Sequence, residues 1–220
     1  MQPRTQLWQD RQDELVREAR AVAKLSKLPE QVVGIDCAFD KKAGVIFAAA
    51  VVWDLAQGSC VEQAWVRLPL DVPYVPGYLS FREGPAVNAA LDKLKHKPQL
   101  LMFDGQGIAH PRRCGLATHV GAERRTPSIG VAKSILVGEH EDLDPSRGSR
   151  APLVHRGTRV GTAIRLRDKV KPVFISVGCG VTLAFAEKAV LACSIGFRLP
   201  EPTRQADQLV GRVKQSDAGR

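Results

Sequence analysis

The chain has 220 residues, of which 44% are hydrophobic and 25% charged. These values suit one globular domain spanning residues 1–220 and exclude collagen-like, disordered and disulfide-stapled classes. Lys and Arg number 32 against 23 Asp and Glu, a net charge of +9 that favours a polyanionic partner, nucleic acid ahead of an anionic membrane surface.

The polar stretch Gln2–Glu14 does not read as a signal peptide, and the apolar run Ala43–Trp53 falls short of the roughly 20 residues a membrane helix needs. Cytoplasmic localisation is the expectation. Trp8, Leu15, Ala19, Val22 and Ala23 fall near helical spacing, so an amphipathic helix over about 6–25, ended by Pro29, forms an N-terminal unit (1–28) packed on the body. Val32–Phe39, Val45–Trp53 and Val61–Leu68 are predicted as three consecutive antiparallel strands. A loop marked by Pro73, Pro76 and Gly77 leads to a helix carrying Val87, Ala90, Leu91 and Leu94. Strands are predicted at Leu100–Phe103, Ser128–Ala132 and Val173–Val177, and helices at Thr182–Cys193 and Thr203–Val213, with 214–220 as a frayed tail. Residues 146–171 carry eight Lys or Arg and one acid, either a solvated face or a DNA contact. The fold class is α/β: a mixed sheet, three antiparallel strands first, flanked by helices. Cysteines 37, 60, 114, 179 and 193 lack C-x-x-C spacing and read as free thiols rather than a zinc site.

Several polar residues stand where a reason is needed. Asp36 lies in an apolar strand, on the face of Val32, Gly34 and Ala38; a buried carboxylate there requires a hydrogen-bonded loop, a metal or a catalytic role. Asp104 ends a strand apolar on both faces and precedes Gly105 and Gly107, where α/β proteins place ligands, although an Asp-Gly turn has the same pattern. His110, Arg112 and Arg113 follow as phosphate-binding groups. Ser80-Phe-Arg-Glu83 fits a capping box, which would occupy Glu83 on the backbone of Ser80. Asp207 has the spacing for an ion pair with Arg204, and Lys133 reads as solvated.

Gly34-Ile-Asp36, Pro73-Tyr74-Val75-Pro76 through Ser80-Phe-Arg-Glu83, Asp104-Gly-Gln-Gly-Ile-Ala-His110-Pro-Arg112-Arg, Thr126-Pro-Ser-Ile-Gly-Val-Ala-Lys133 and Leu199-Pro-Glu-Pro-Thr-Arg-Gln-Ala-Asp207 occur in that order. Together they resemble endonuclease V, the family of deoxyinosine-directed DNA repair nucleases with a ribonuclease-H-like fold. The resemblance runs from about Val32 to Val210. It implies an acidic metal site of Asp36, Glu83, Asp104 and Asp207, turning Glu83 into the site rather than back to Ser80. It also implies Lys133 at the cleaved phosphate with His110 close by, and a Pro73–Pro76 wedge that inserts Tyr74 beside the lesion. Mg²⁺, with Mn²⁺ able to substitute, is the implied cofactor. The implied reaction is hydrolysis of the second phosphodiester 3′ to deoxyinosine, leaving 3′-hydroxyl and 5′-phosphate ends. No membrane and no obligate protein partner are implied. The chain departs from the family at Ser176-Val-Gly-Cys179, where Ser-Pro-Gly-His or Ser-Pro-Gly-Asn is usual, and at Val75, where Ile is commoner. The competing readings are a nuclease of the same fold preferring inosine in RNA, and a non-catalytic nucleic-acid binder.

Overall fold

A computed structural model describes residues 3–218. The chain runs α1 (Pro3–Ala21), β1 (Gln31–Asp40), β2 (Val45–Asp54), β3 (Ser59–Pro69), α2 (Leu79–Asp92), β4 (Leu101–Phe103), α3 (Leu116–Glu123), β5 (Ser128–Ala132), β6 (Arg150–His155), β7 (Thr158–Ile164), β8 (Val173–Cys179), α4 (Leu183–Ala192) and α5 (Glu201–Ala218). The strands form one sheet in the order β3-β2-β1-β4-β5-β8-β7-β6. β1, β4 and β5 are parallel and the other pairings antiparallel. No described helix is long and apolar enough to cross a membrane.

Strand periodicity distributes the core over both faces of the sheet. All ten residues of β2 are buried. Its Ile46, Ala48, Ala50 and Val52 face α2 and α3, while Val45, Phe47, Ala49 and Val51 pack on Ala206, Leu209 and Val210 of α5. Further along, Met102, Ile129 and Ile175 pack on Ala186, Ala189 and Val190 of α4. α1 lies outside α3, where Leu15 meets Cys114 and Ala122.

The three leading strands are antiparallel as predicted. Two predicted ends shift. α1 stops at Ala21, eight residues ahead of Pro29, and α5 continues to Ala218, so 214–218 is helix rather than tail; 219 and 220 lie outside the described residues. Three elements, α3, β6 and β7, carry no clear signal in the sequence. α3 is a single short stretch buried from Leu116 to Ala122, so it has no polar face to produce a stripe. The β6–β7 hairpin lies inside the basic segment, its edge strand carrying Pro152, as edge strands tolerate.

Candidate active site

Backbone register brings the carboxylates together. β1 and β4 are parallel, with Ile35 opposite Phe103, and the Asp104 amide donates to the Ile35 carbonyl at 3.0 Å. Asp36 and Asp104 are therefore the next residues along two strands about 4.8 Å apart. α5 supplies the third carboxylate because it rests on Gly34: a Cβ there would overlap the Pro202 carbonyl. From Gly34 to Asp36 the strand advances about 6.6 Å. From Pro202 to Asp207 the helix advances about 7.5 Å, so the two acids coincide. Carboxylate oxygens of Asp36, Asp104 and Asp207 all lie within 4.8 Å of one another.

Lys133, one residue past β5, donates to Asp207 at 2.8 Å and pairs with Asp104 at 2.5 Å. It is thus ion-paired, 40% exposed, rather than a lysine held by solvent alone. The predicted Arg204–Asp207 pair does not form either, since Arg204 grips Glu201 at 2.7 and 2.8 Å and leaves Asp207 to Lys133. Burial first, then the charge of Asp104, pushes Asp36 up to about 8 against the pull of Lys133. Burial likewise raises Asp104, opposed by its bond to Lys133. Burial opposes charge on Lys133, but its bonds to Asp104 and Asp207 outweigh that and hold it above the ordinary lysine range. Three carboxylates converging in this way, two of them buried and resisting ionisation, form the hard oxygen donor set that suits a small divalent cation.

Glu83 belongs to neither the capping box nor the three-carboxylate group. Ser80 is already inside α2, which begins after Tyr78 with no side-chain cap, so the predicted reach of Glu83 back to its backbone has no N-cap to serve. Glu83 instead shares with Asp104 the wall of a cavity of about 380 Å³, also bordered by Tyr74, His110, Ile135 and Leu136. Burial, then the Asp104 charge, pushes it up to about 8.

Pro73, Tyr74 and Pro76 are exposed and Val75 is half-buried; Tyr74, 64% exposed, stands at the cavity rim. Behind this loop the Gly77 carbonyl accepts from Arg112 Nη2 (2.7 Å), from Gln12 Nε2 of α1 (3.1 Å) and from the His110 ring. Arg112 also donates through Nε to Gln12 Oε1 at 2.5 Å and lies 4.1 Å over the Tyr78 ring. Arg112 is accordingly a brace for the loop rather than a free phosphate ligand. Burial first and Arg112 second hold the His110 ring down to about 4, against the Gly77 carbonyl, so it is neutral where the sequence suggests a phosphate-binding cation.

Gln12, Ile135 and Leu136 escaped sequence reasoning. Ile135 and Leu136 are 40% and 50% exposed, just beyond the Lys133–Ser134 step off β5, an aliphatic pair whose only signal is its closeness to that charged strand end. The atypical Ser176–Cys179 segment, read from the sequence as a loop, is the end of β8, and Cys179 there bonds the Thr126 carbonyl at 3.2 Å. Ser176 of the same strand accepts from the Gly107 amide at 2.8 Å and so fixes the turn after Asp104.

A family model described as Endonuclease V matches residues 13–208. The protein named endonuclease V from Azotobacter vinelandii is 48% identical over 181 residues, covering 82% of each chain. The crystal structure of endonuclease V from Streptomyces avermitilis aligns with a TM-score of 0.90 at 43% identity, over 97% of this chain and 94% of its own. That of Ciona intestinalis endonuclease V, in complex with a DNA containing an inosine followed by a ribo-adenosine, aligns at 0.83 and 28% identity, over 97% and 98%.

Proposed function

The chain belongs to the endonuclease V family, a family of DNA-cleaving hydrolases, and from that membership we propose a metal-dependent repair nuclease acting on deoxyinosine. The bond hydrolysed is the second phosphodiester 3′ to the lesion, leaving 3′-hydroxyl and 5′-phosphate ends. The observation that carries this reading is the junction of three converging carboxylates with a cavity rimmed by an exposed tyrosine.

Mg²⁺, or Mn²⁺ in its place, held by Asp36, Asp104 and Asp207 would supply charge relief at the phosphoryl oxygens and an activated water. Lys133 places a permanent positive charge beside Asp104, where it balances the phosphate. Glu83, carrying a proton near neutrality, acts through Asp104 or water rather than as a member of the three-carboxylate group. Tyr74, stiffened by Pro73 and Pro76, fills the gap left by the extruded base, whose unstacking costs a few kcal/mol and least at a mispair. The base enters the cavity between Tyr74 and the Ile135–Leu136 pair. Five free cysteines suit the reducing cytoplasm, where we place the protein.

Mg²⁺-dependent nicking of a duplex with one deoxyinosine, the nick position mapped, tests the proposal. Asp36→Ala is expected to abolish nicking while most of the binding survives; full activity in that variant refutes the assignment. The ribo-adenosine beside the inosine in the Ciona intestinalis complex favours inosine RNA as the second reading, and the same assay on inosine RNA separates the two.

A further inference from the structure

We infer that a cationic groove leading away from Lys133 holds the phosphates of the substrate strand on the 3′ side of the cut, an inference that rests on the nuclease reading above. The groove has a volume of about 490 Å³ and is lined by Lys133, His140, Arg165, Lys171 and Arg198, with Asp142 the acid among them. Lys133 lines the Tyr74 cavity as well, so this residue stands between the two concavities, its ammonium 2.5 Å from Asp104. If the lesion base fills the Tyr74 cavity and the bond broken lies 3′ to it at the carboxylates, the strand beyond that bond leaves on the far side of Lys133.

The groove's cations differ in their duties. Arg198 donates to the carbonyls of Lys133 (2.6 Å), Lys171 (3.2 Å) and Pro172 (3.2 Å), and its charge helps steady Asp104 as a carboxylate. Arg165 is spent on the carbonyls of Asp144 (2.7 Å), Leu143 (3.3 Å) and Val170. Both are pinned, so they provide a fixed positive field with no ordering cost when a strand enters. Lys171 is exposed and makes no ion pair among the described residues, which leaves its ammonium for a phosphate oxygen. The other opening beside the carboxylates, lined by Asp36, Asp207 and Lys214, sets one lysine against two acids and suits a polyanion less.

The test uses single-stranded inosine substrates with a long or a short 3′ arm, cut by the full chain. Wild type is expected to show a KM roughly fivefold lower for the long arm, the scale of one partly screened charge contact. Lys171→Glu is expected to erase that advantage and to lower the log–log salt slope of binding by about 0.7, the value for one phosphate on a single strand. Lys97→Glu, the same charge change beside Glu30 and Gln31 at the start of β1, is expected to keep the advantage. Equal KM for both arms in wild type overturns the groove, as does an advantage that survives Lys171→Glu and vanishes in Lys214→Glu. A wild-type protein that cuts no inosine substrate overturns the nuclease reading instead, which separates the two failures.

Discussion

His110 shows how one neighbour changes a side chain's role. The ring is 4% exposed, accepts from the Arg112 amide at 3.2 Å and is held down to about 4 by burial and by the Arg112 charge. In the unfolded chain the ring takes its proton near the ordinary value of about 6.5. Between these values the unfolded state binds more protons, so the stabilisation present above about pH 6.5 is lost as pH falls towards 4. The full loss is on the order of 3 kcal/mol, about 1.4 kcal/mol for each pH unit between the two values. Denaturant midpoints at neutral and mildly acid pH check this: His110→Gln is expected to show a smaller drop between the two than wild type.

At the scale of elements, α1 acquires a purpose through Gln12. This side chain has no exposure, donates to the carbonyls of Gly77 (3.1 Å) and Cys114 (3.3 Å), and accepts from Arg112. It joins the N-terminal helix, the loop after β4 and the hinge of the Tyr74 loop. Gln12→Ala leaves Nε of Arg112 without its acceptor and the Gly77 carbonyl with one donor fewer, a cost of about 1–3 kcal/mol. The expected functional consequence is a lower ratio of inosine to undamaged-duplex cleavage, measured well below the melting temperature. A purely structural loss would leave that ratio unchanged, so the ratio distinguishes bracing of the wedge from bulk destabilisation.

For the whole molecule, the net charge of +9 is divided between folding and binding. Within 146–171, Arg150 and Arg159 close on Glu187 at 3.3 and 2.9 Å, and Arg147 donates to the Ser194 carbonyl at 2.9 Å. Arg156, Arg167 and Lys169 are exposed and form no side-chain ion pair among the described residues. Replacing Arg156, Arg167 and Lys169 together by Ala is therefore expected to weaken binding of undamaged duplex and reduce its salt slope by about 0.9 for each phosphate no longer neutralised. Arg159→Ala is expected to leave that slope intact and lower stability, because it removes the nearer of the two cations that pair with the buried Glu187. Salt titrations of binding beside thermal melts separate the two classes.

Local pattern determined a good deal. Apolar alternation identifies β1 to β3, and the wholly apolar Leu101–Phe103 run identifies a strand covered on both faces, because burial acts residue by residue along the chain. Asp36 and Asp104 also stood out locally, as acids where strand burial forbids unpartnered charge. The tertiary structure alone decided which partners those acids meet. Nothing within Thr203–Asp207 reveals that Gly34 admits α5 so closely that Asp207 falls over Asp36, or that Arg204 turns to Glu201 and frees Asp207 for Lys133. Nor does Ser80–Glu83 reveal where α2 begins, on which the fate of Glu83 depends. Hydrophobic periodicity specifies the face a residue occupies, whereas charge pairing is set across space by groups distant in the chain.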